Sequence, residues 1–193
     1  MNNKQVTNIL IVGVGGQGII LASDIMAEVF LEAGFDVKKS EVHGMAQRGG
    51  SVSTHVRFGS RVYSPLIKEG EADIYVAFEE LEALRYLYFL APQATILLNR
   101  ERLNPPSVSL GKDKYPAEVA EILSPKAKVL KSIPGRELAS KAGDQRAINT
   151  VMLGALANFL PIPAEIWETS IRRHLPAKAH EINLRAFQLG RSA

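Results

Sequence analysis

NILIVGVGGQGII, residues 8–20, is a β-branched apolar run that breaks into four glycines and resumes as an apolar segment. The run NILIVG (8–13) has the unbroken apolar character of a strand buried on both faces of a parallel sheet. Downstream, Ile20, Leu21, Ile25, Met26, Val29 and Phe30 recur at helical spacing, and Gly34 supplies a C-terminal stop. DVKKSEV (36–42) then restarts as a strand. Together these pieces predict a right-handed βαβ unit with glycines at its first strand-to-helix junction.

Gly13-Val14-Gly15-Gly16-Gln17-Gly18 fits G-x-G-x-x-G at that junction. Glycine reaches positive φ and has no Cβ to block a ligand. The helix that follows offers free N–H groups and a partial positive charge to a phosphate. From the residues alone, the stretch is either a phosphate or nucleotide site or a tight turn that packs the helix onto the sheet. A nicotinamide dinucleotide also requires an acid at the end of the second strand, for the ribose. Asp36 lies at that strand's start, and Glu41, nearer its end, leads into HGMAQRGG instead of a helix. The ordinary NAD pattern is therefore incomplete.

Farther along, SVSTHVRF (51–58) alternates, with Val52, Thr54, Val56 and Phe58 on one face and Ser53, His55 and Arg57 on the other. Gly59-Ser60 reads as a hairpin turn into RVYSPL. DIYVAF (73–78) and ATILL (94–98) read as further central strands, with EELEALRYLYFL as a helix between them. Glu79, Glu80 and Glu82 suit the positive end of that helix and need no catalytic role. Residues 104–112 form a loop or short irregular strand, PAEVAEIL a short helix with Pro116 at its first position, and AKVLKSI a strand. RAINTVMLGALANFL (146–160) is apolar nearly all round and predicts a buried helix, in which Gly154 admits a close neighbour. Two amphipathic helices follow, IPAEIWETSIRRHL and PAKAHEINLRAFQLG, the best candidates for subunit contact; Trp167 reads as core. The pattern predicts an α/β fold in one domain spanning residues 1–193. Its architecture is three-layer α/β/α, with a mostly parallel central sheet, an antiparallel hairpin insertion and a Rossmann-like first βαβ unit.

Composition limits the chemistry. The 193 residues include no cysteine, which excludes disulfides and removes the usual ligands for zinc and iron–sulfur clusters. No apolar stretch nears the roughly 20 residues of a membrane span, and MNNKQVTN runs straight into a strand, unlike a secretory signal. A cytoplasmic protein is expected. Residues 1–111 carry 10 basic and 12 acidic side chains, and residues 112–193 carry 13 and 8. The basic residues are scattered and lack interleaved aromatics, which argues against a nucleic-acid partner. No H-E-x-x-H metal spacing occurs and no Ser-His-Asp set emerges. Of the four histidines, His43 flanks the loop at Gly44, His55 lies on the polar face of a strand as a surface or interface residue, and His174 and His180 sit near helix ends.

EVHGMAQRGGSVSTHVRFG (41–59) is the more distinctive stretch. Gly44, Gly49 and Gly50 surround Gln47 and Arg48, and exposed N–H groups beside an arginine suit a carboxylate or phosphate. Equally, Gly49-Gly50 enters the hairpin and Arg48 makes a structural ion pair. GVGGQGIILAS followed by this stretch closely resembles the gamma subunits of 2-oxoacid:ferredoxin oxidoreductases, especially the small (beta) subunits of the indolepyruvate enzymes. AFEELEALRYL and INTVMLGAL resemble the same family, so the likeness spans nearly the whole chain.

The resemblance implies a role inside a complex that oxidatively decarboxylates a 2-oxoacid to an acyl-CoA. Thiamine diphosphate, magnesium and [4Fe-4S] clusters are then expected on partner subunits, with ferredoxin as an indirect partner. This chain has no cysteines, and in place of the family's GDG…N thiamine signature its nearest fragment is Gly143-Asp144-Gln145. By resemblance, Gly13, Gly15, Gly16, Gln17 and Gly18 contact coenzyme A, with main-chain N–H groups donating to a phosphate. Gly44, Gln47, Arg48, Gly49 and Gly50 face the partner or its active centre. No catalytic or metal-binding residue is expected in the chain itself. Two other readings stay open: a stand-alone nucleotide-binding or scaffold module, and an NAD(P)-dependent dehydrogenase.

Overall fold

The computed structural model describes residues 6–43 and 49–193. Its centre is a six-stranded sheet in the order β2-β3-β1-β4-β5-β6. The strands are β1 (Val6–Val14), β2 (Asp36–His43), β3 (Ser51–Gly59), β4 (Ala72–Ala77), β5 (Leu90–Asn99) and β6 (Val129–Ile133). β3 is antiparallel to both of its neighbours, and the β1, β4, β5 and β6 pairings are parallel. Five strands thus run one way and β3 alone runs against them, the mixed α/β sheet that the patterning implies.

The first βαβ unit differs from the sequence expectation in one respect. β1 and β2 are parallel and joined through helix α1 (Ile19–Glu32), but they are not neighbours, because β3 lies between them. The expected hairpin from Gly59-Ser60 into RVYSPL is also absent, since β3 already has both edges paired. Residues 60–70 instead run across the sheet. The Arg57 guanidinium donates to the carbonyls of Ser64 (2.9 Å) and Leu66 (3.1 Å). The Val62 N–H donates to Asp36 Oδ2 and the Ile67 N–H to His55 Nδ1 (3.1 Å), and both apolar side chains are buried. His55 is therefore an interior residue, 4% exposed, with its ring edge-on to Phe89. It is not the surface residue that strict alternation implies. The reason is that this covering segment buries the second face of β3.

Along β1, Ile9 and Ile11 pack on one face while Leu10 and Val12 pack on the other, all fully buried. The first face is covered by α1, α5 (Gly135–Ala142), α6 (Ile148–Ala157), α7 (Ala164–His174) and α8 (His180–Arg191). The second is covered by the short helices α2 (Glu80–Arg85) and α4 (Val119–Leu123) with Ile67. EELEALRYLYFL is helical only over α2; it tightens into a 3-10 turn at Leu87–Phe89 and enters β5 at Leu90, earlier than expected. Pro116 precedes α4 without heading it, and Glu118 at φ 53° makes that junction. Pro106 instead heads one helical turn, α3 (Pro106–Ser109), within the expected loop. Trp167 is fully buried against Phe30 and Phe187, as a core residue.

The crossing of α6 and α8 explains two glycines. A Cβ on Gly154 would overlap the Phe187 carbonyl, and one on Gly190 would overlap the Val151 carbonyl. Each helix thus presses its backbone into the gap left by the other's missing side chain. Among the described residues, no helix is long and apolar enough to cross a membrane.

Two outcomes follow from this packing. Gly154→Ala forces the helices apart and is expected to cost about 3 kcal/mol, measured by urea unfolding; unchanged stability would contradict the crossing. Burial holds the pKa of His55 below its ordinary value, so its contribution is fully present above the unfolded-chain value of about 6.5 and is lost as pH falls below it. Between pH 7 and pH 5 the urea midpoint should therefore fall more steeply for the native chain than for His55→Gln. Parallel pH profiles would show that His55 charges freely in the fold.

Candidate functional site

The carboxyl ends of β1 and β4 meet the start of β3 at one edge of the sheet, with Val12 opposite Ala77 and Val14 opposite Ser51. The connection leaving β1 covers one face of the sheet and the one leaving β4 covers the other. A topological switch point of this kind opens a crevice outside the strand ends. The glycine turn occupies it.

Within the turn the glycines have different duties. A Cβ on Gly13 would stand 2.7–2.8 Å from Gln17 Oε1, Ile19 Cδ1 and Phe78 Cβ, so this position is needed for packing. Gly15 joins the two glycine motifs: its N–H donates to the Gly50 carbonyl (2.8 Å), and its carbonyl accepts from the Gly49 N–H (3.2 Å). Gly49 itself has φ 77° and is exposed. Gly16, at φ 106°, is exposed, and a Cβ there would meet nothing. Gly18, at φ 76°, is the N-cap of α1.

Gln17 is internal stitching. Its Oε1 accepts from the Val14 N–H (2.8 Å) and its Nε2 donates to the Phe78 carbonyl (3.0 Å). The same carbonyl accepts from Asn99 Nδ2 (2.9 Å), and Asn99 Oδ1 accepts from the Gly135 N–H (3.1 Å). One run of hydrogen bonds thus ties the ends of β1, β4 and β5 to the start of α5.

Main-chain donors can be assigned directly. The Gly15 and Gln17 N–H groups are taken, the latter by the Val14 carbonyl (3.2 Å). The N–H groups of Gly16, Gly18 and the first turn of α1 have no acceptor among the described residues. α1 has no side-chain cap and no acidic residue in its first turn, which leaves its partial positive charge facing the crevice. The five glycine-motif residues therefore divide into Gly16 and Gly18 as open donors and Gly13, Gly15 and Gln17 as the frame. From the second motif, Gly49 and Gly50 are brought against this turn, while Gly44, Gln47 and Arg48 lie outside the described residues. His43 ends β2.

Four buried carboxylates line the same edge, and each has a partner. Glu79 caps α2, accepting from the N–H groups of Glu82 (2.9 Å) and Leu103 (3.0 Å) and from the Tyr115 hydroxyl (2.5 Å). Burial, and then this carboxylate, push the Tyr115 pKa far up, so the phenol stays protonated. Glu80 pairs with Arg102 (2.7 Å), Glu101 with Arg136, and Glu82 with Arg85 (3.1 Å) and the Ser51 hydroxyl. These acids hold helix and strand ends, as helix-dipole reasoning expects of Glu79, Glu80 and Glu82. His174 and His180 likewise bond to nearby carbonyls at helix ends.

Sequence reasoning missed Asn99 and Asn149. The one signal for Asn149 was a polar pair, Asn149-Thr150, opening an otherwise apolar helix. Among the described residues, no group of three or more His, Asp or Glu is placed to hold a metal ion.

A profile of the pyruvate ferredoxin/flavodoxin oxidoreductase family matches residues 8–193. Indolepyruvate oxidoreductase subunit IorB of Archaeoglobus fulgidus is 45% identical over 188 residues, which cover 95% of this chain and 92% of that protein. Pyruvate oxidoreductase subunit PORC from Thermotoga maritima shares the fold, with a TM-score of 0.73 at 23% identity over 98% of this chain and 97% of that one. The 2-oxoglutarate:ferredoxin oxidoreductase of Magnetococcus marinus, solved with 2-oxoglutarate, coenzyme A and succinyl-CoA bound, contains the same fold within a longer chain. Its TM-score is 0.78 at 23% identity, over 98% of this chain and 31% of that one. By the reach of the family profile and this level of identity, the chain belongs to the pyruvate ferredoxin/flavodoxin oxidoreductase family.

Proposed function

We propose that this chain is the gamma-type subunit of a cytoplasmic 2-oxoacid:ferredoxin oxidoreductase complex and binds a phosphate of coenzyme A at its glycine turn. Thiamine diphosphate, magnesium and [4Fe-4S] clusters belong to partner chains in this reading, and electrons leave to ferredoxin. The substrate class is an aryl pyruvate, in line with the indolepyruvate name of the 45%-identical relative. The observation that carries the coenzyme A assignment is the pair of N–H groups at exposed Gly16 and half-buried Gly18, which have no acceptor among the described residues, ahead of an uncapped helix.

Coenzyme A, when bound, supplies the thiol that receives the acyl group. The residues of this chain contribute binding and orientation. Gly16, Gly18 and the first turn of α1 donate to a phosphate without desolvating a charged side chain. Gly13, Gly15 and Gln17 hold the turn rigid, so the donors need little reorganisation when the anion arrives. Gly49 and Gly50 tie the second motif to the turn, and Gly44, Gln47 and Arg48 are assigned to the face toward the partner's active centre. With no cysteine in the chain, the cluster ligands must come from elsewhere in the complex.

The dehydrogenase reading fares worse. A ribose acid must stand beside the glycine turn, but β3 separates β2 from β1, moving the end of β2 to about 10 Å away. Glu41 is moreover paired with Lys39 at 2.6 Å.

In calorimetric titrations of the assembled complex, coenzyme A should give saturable binding and NAD none. Gly16→Val, which strains a φ of 106°, should weaken coenzyme A about tenfold. The purified chain alone should turn over no oxoacid. NAD binding without a coenzyme A response, or turnover by the chain alone, would contradict the proposal.

A further inference from the structure

Asn149 stands in the first turn of α6, directly beside the glycine turn. A Cβ on Gly18 would lie 2.9 Å from its Nδ2. Glycine at position 18 therefore does two things: it adopts φ 76°, and it leaves room for this carboxamide. Asn149 is 5% exposed, an unusual setting for a polar side chain without a full set of partners.

The orientation of the carboxamide is set from the other side. Its Oδ1 accepts from the Thr150 N–H at 2.9 Å. The Thr150 hydroxyl donates to Asn183 Oδ1 at 2.7 Å, and Asn183 Nδ2 donates to the Ala179 carbonyl at 2.9 Å. With the oxygen committed to an N–H donor, the NH2 end is the one turned toward Gly18. That end has no acceptor among the described residues. The residue is nearly buried, but its NH2 is not among the buried polar atoms left without a partner. It therefore reaches the crevice and is placed to donate to an acceptor that arrives between it and the open N–H groups of the turn.

We infer that the Asn149 carboxamide is a ligand donor of the glycine-turn site, giving a hydrogen bond from α6 to the same phosphoryl group that Gly16, Gly18 and α1 hold from the other side. The inference rests on the coenzyme A reading of the turn and adds a specificity device to it. An anion carrying several phosphoryl oxygens accepts from both sides at once, whereas a carboxylate is too small to span them. The donor is neutral, so it adds no charge that would hold inorganic anions indiscriminately. It also links the ligand to α6, and through the α6–α8 crossing to the C-terminal helices.

The test uses the full chain labelled with 15N and titrated with coenzyme A. In the native chain, the side-chain NH2 resonances of Asn149 should shift together with the Gly16 and Gly18 amides. Asn149→Asp keeps the shape and the acceptor for the Thr150 N–H but replaces the donor with a negative oxygen. Its affinity for coenzyme A should fall at least tenfold, with a melting temperature close to that of the native chain. If the Gly16 and Gly18 amides shift while the Asn149 side chain stays still, or Asn149→Asp binds as well as the native chain, the inference fails and the glycine-turn reading stands. If neither the turn nor Asn149 responds, the reading of the turn fails and the inference fails with it. The native-chain resonances decide the matter even if the variant does not fold.

Discussion

The hydrogen-bonded pair between Gly15 and the Gly49-Gly50 segment is the constraint around which the site is built. It exists because β3 inserts antiparallel between β1 and β2. In a simple doubly wound sheet the second strand would pair with the first, and the glycine turn would face the second strand's carboxyl end. Here it faces the start of β3. Two glycine-rich motifs about 30 residues apart in sequence thereby share one turn. The N–H and the carbonyl of Gly15 make the described backbone link between them.

A second constraint gives the turn its rigidity. The Phe78 carbonyl accepts from both Gln17 and Asn99, and Asn99 passes the linkage on to Gly135. Strand ends at a sheet's carboxyl edge are ordinarily free to move with their loops. In this chain they are bound to one another by side-chain amides, which cost little to bury once both ends are satisfied. The result is a crevice whose remaining donors point outward and whose neighbouring carboxylates all have structural partners. In the coenzyme A reading proposed above, an anion meets prearranged N–H groups without having to compete with free negative charge.

Much of this was legible in the sequence. The apolar run at 8–13, the helical spacing to Phe30 and the glycines between them sufficed for β1, the turn and α1, because each obeys a local rule. Gly154 was legible as a point of close approach, since a glycine in an apolar helix has few other uses. The position of β3 was not legible. Alternation in SVSTHVRF describes a strand but not which edges it pairs, and pairing across the sheet depends on segments distant in sequence. His55 was misread for the same reason: the segment that buries it, residues 60–70, has no regular pattern and contains Pro65. At the site, G-x-G-x-x-G does not reveal which N–H groups the protein uses internally. That division, with Gly15 and Gln17 engaged and Gly16 and Gly18 open, emerges only from the folded turn.

We propose that this chain holds an anion in its glycine turn for chemistry carried out elsewhere in a complex. The most direct measurement is a structure of the assembled complex with coenzyme A bound. The account predicts a coenzyme A phosphate within hydrogen-bond distance of the Gly16 and Gly18 nitrogens at the head of α1. A bound coenzyme A whose phosphates are held entirely by other chains, with the glycine turn left to solvent, would contradict it.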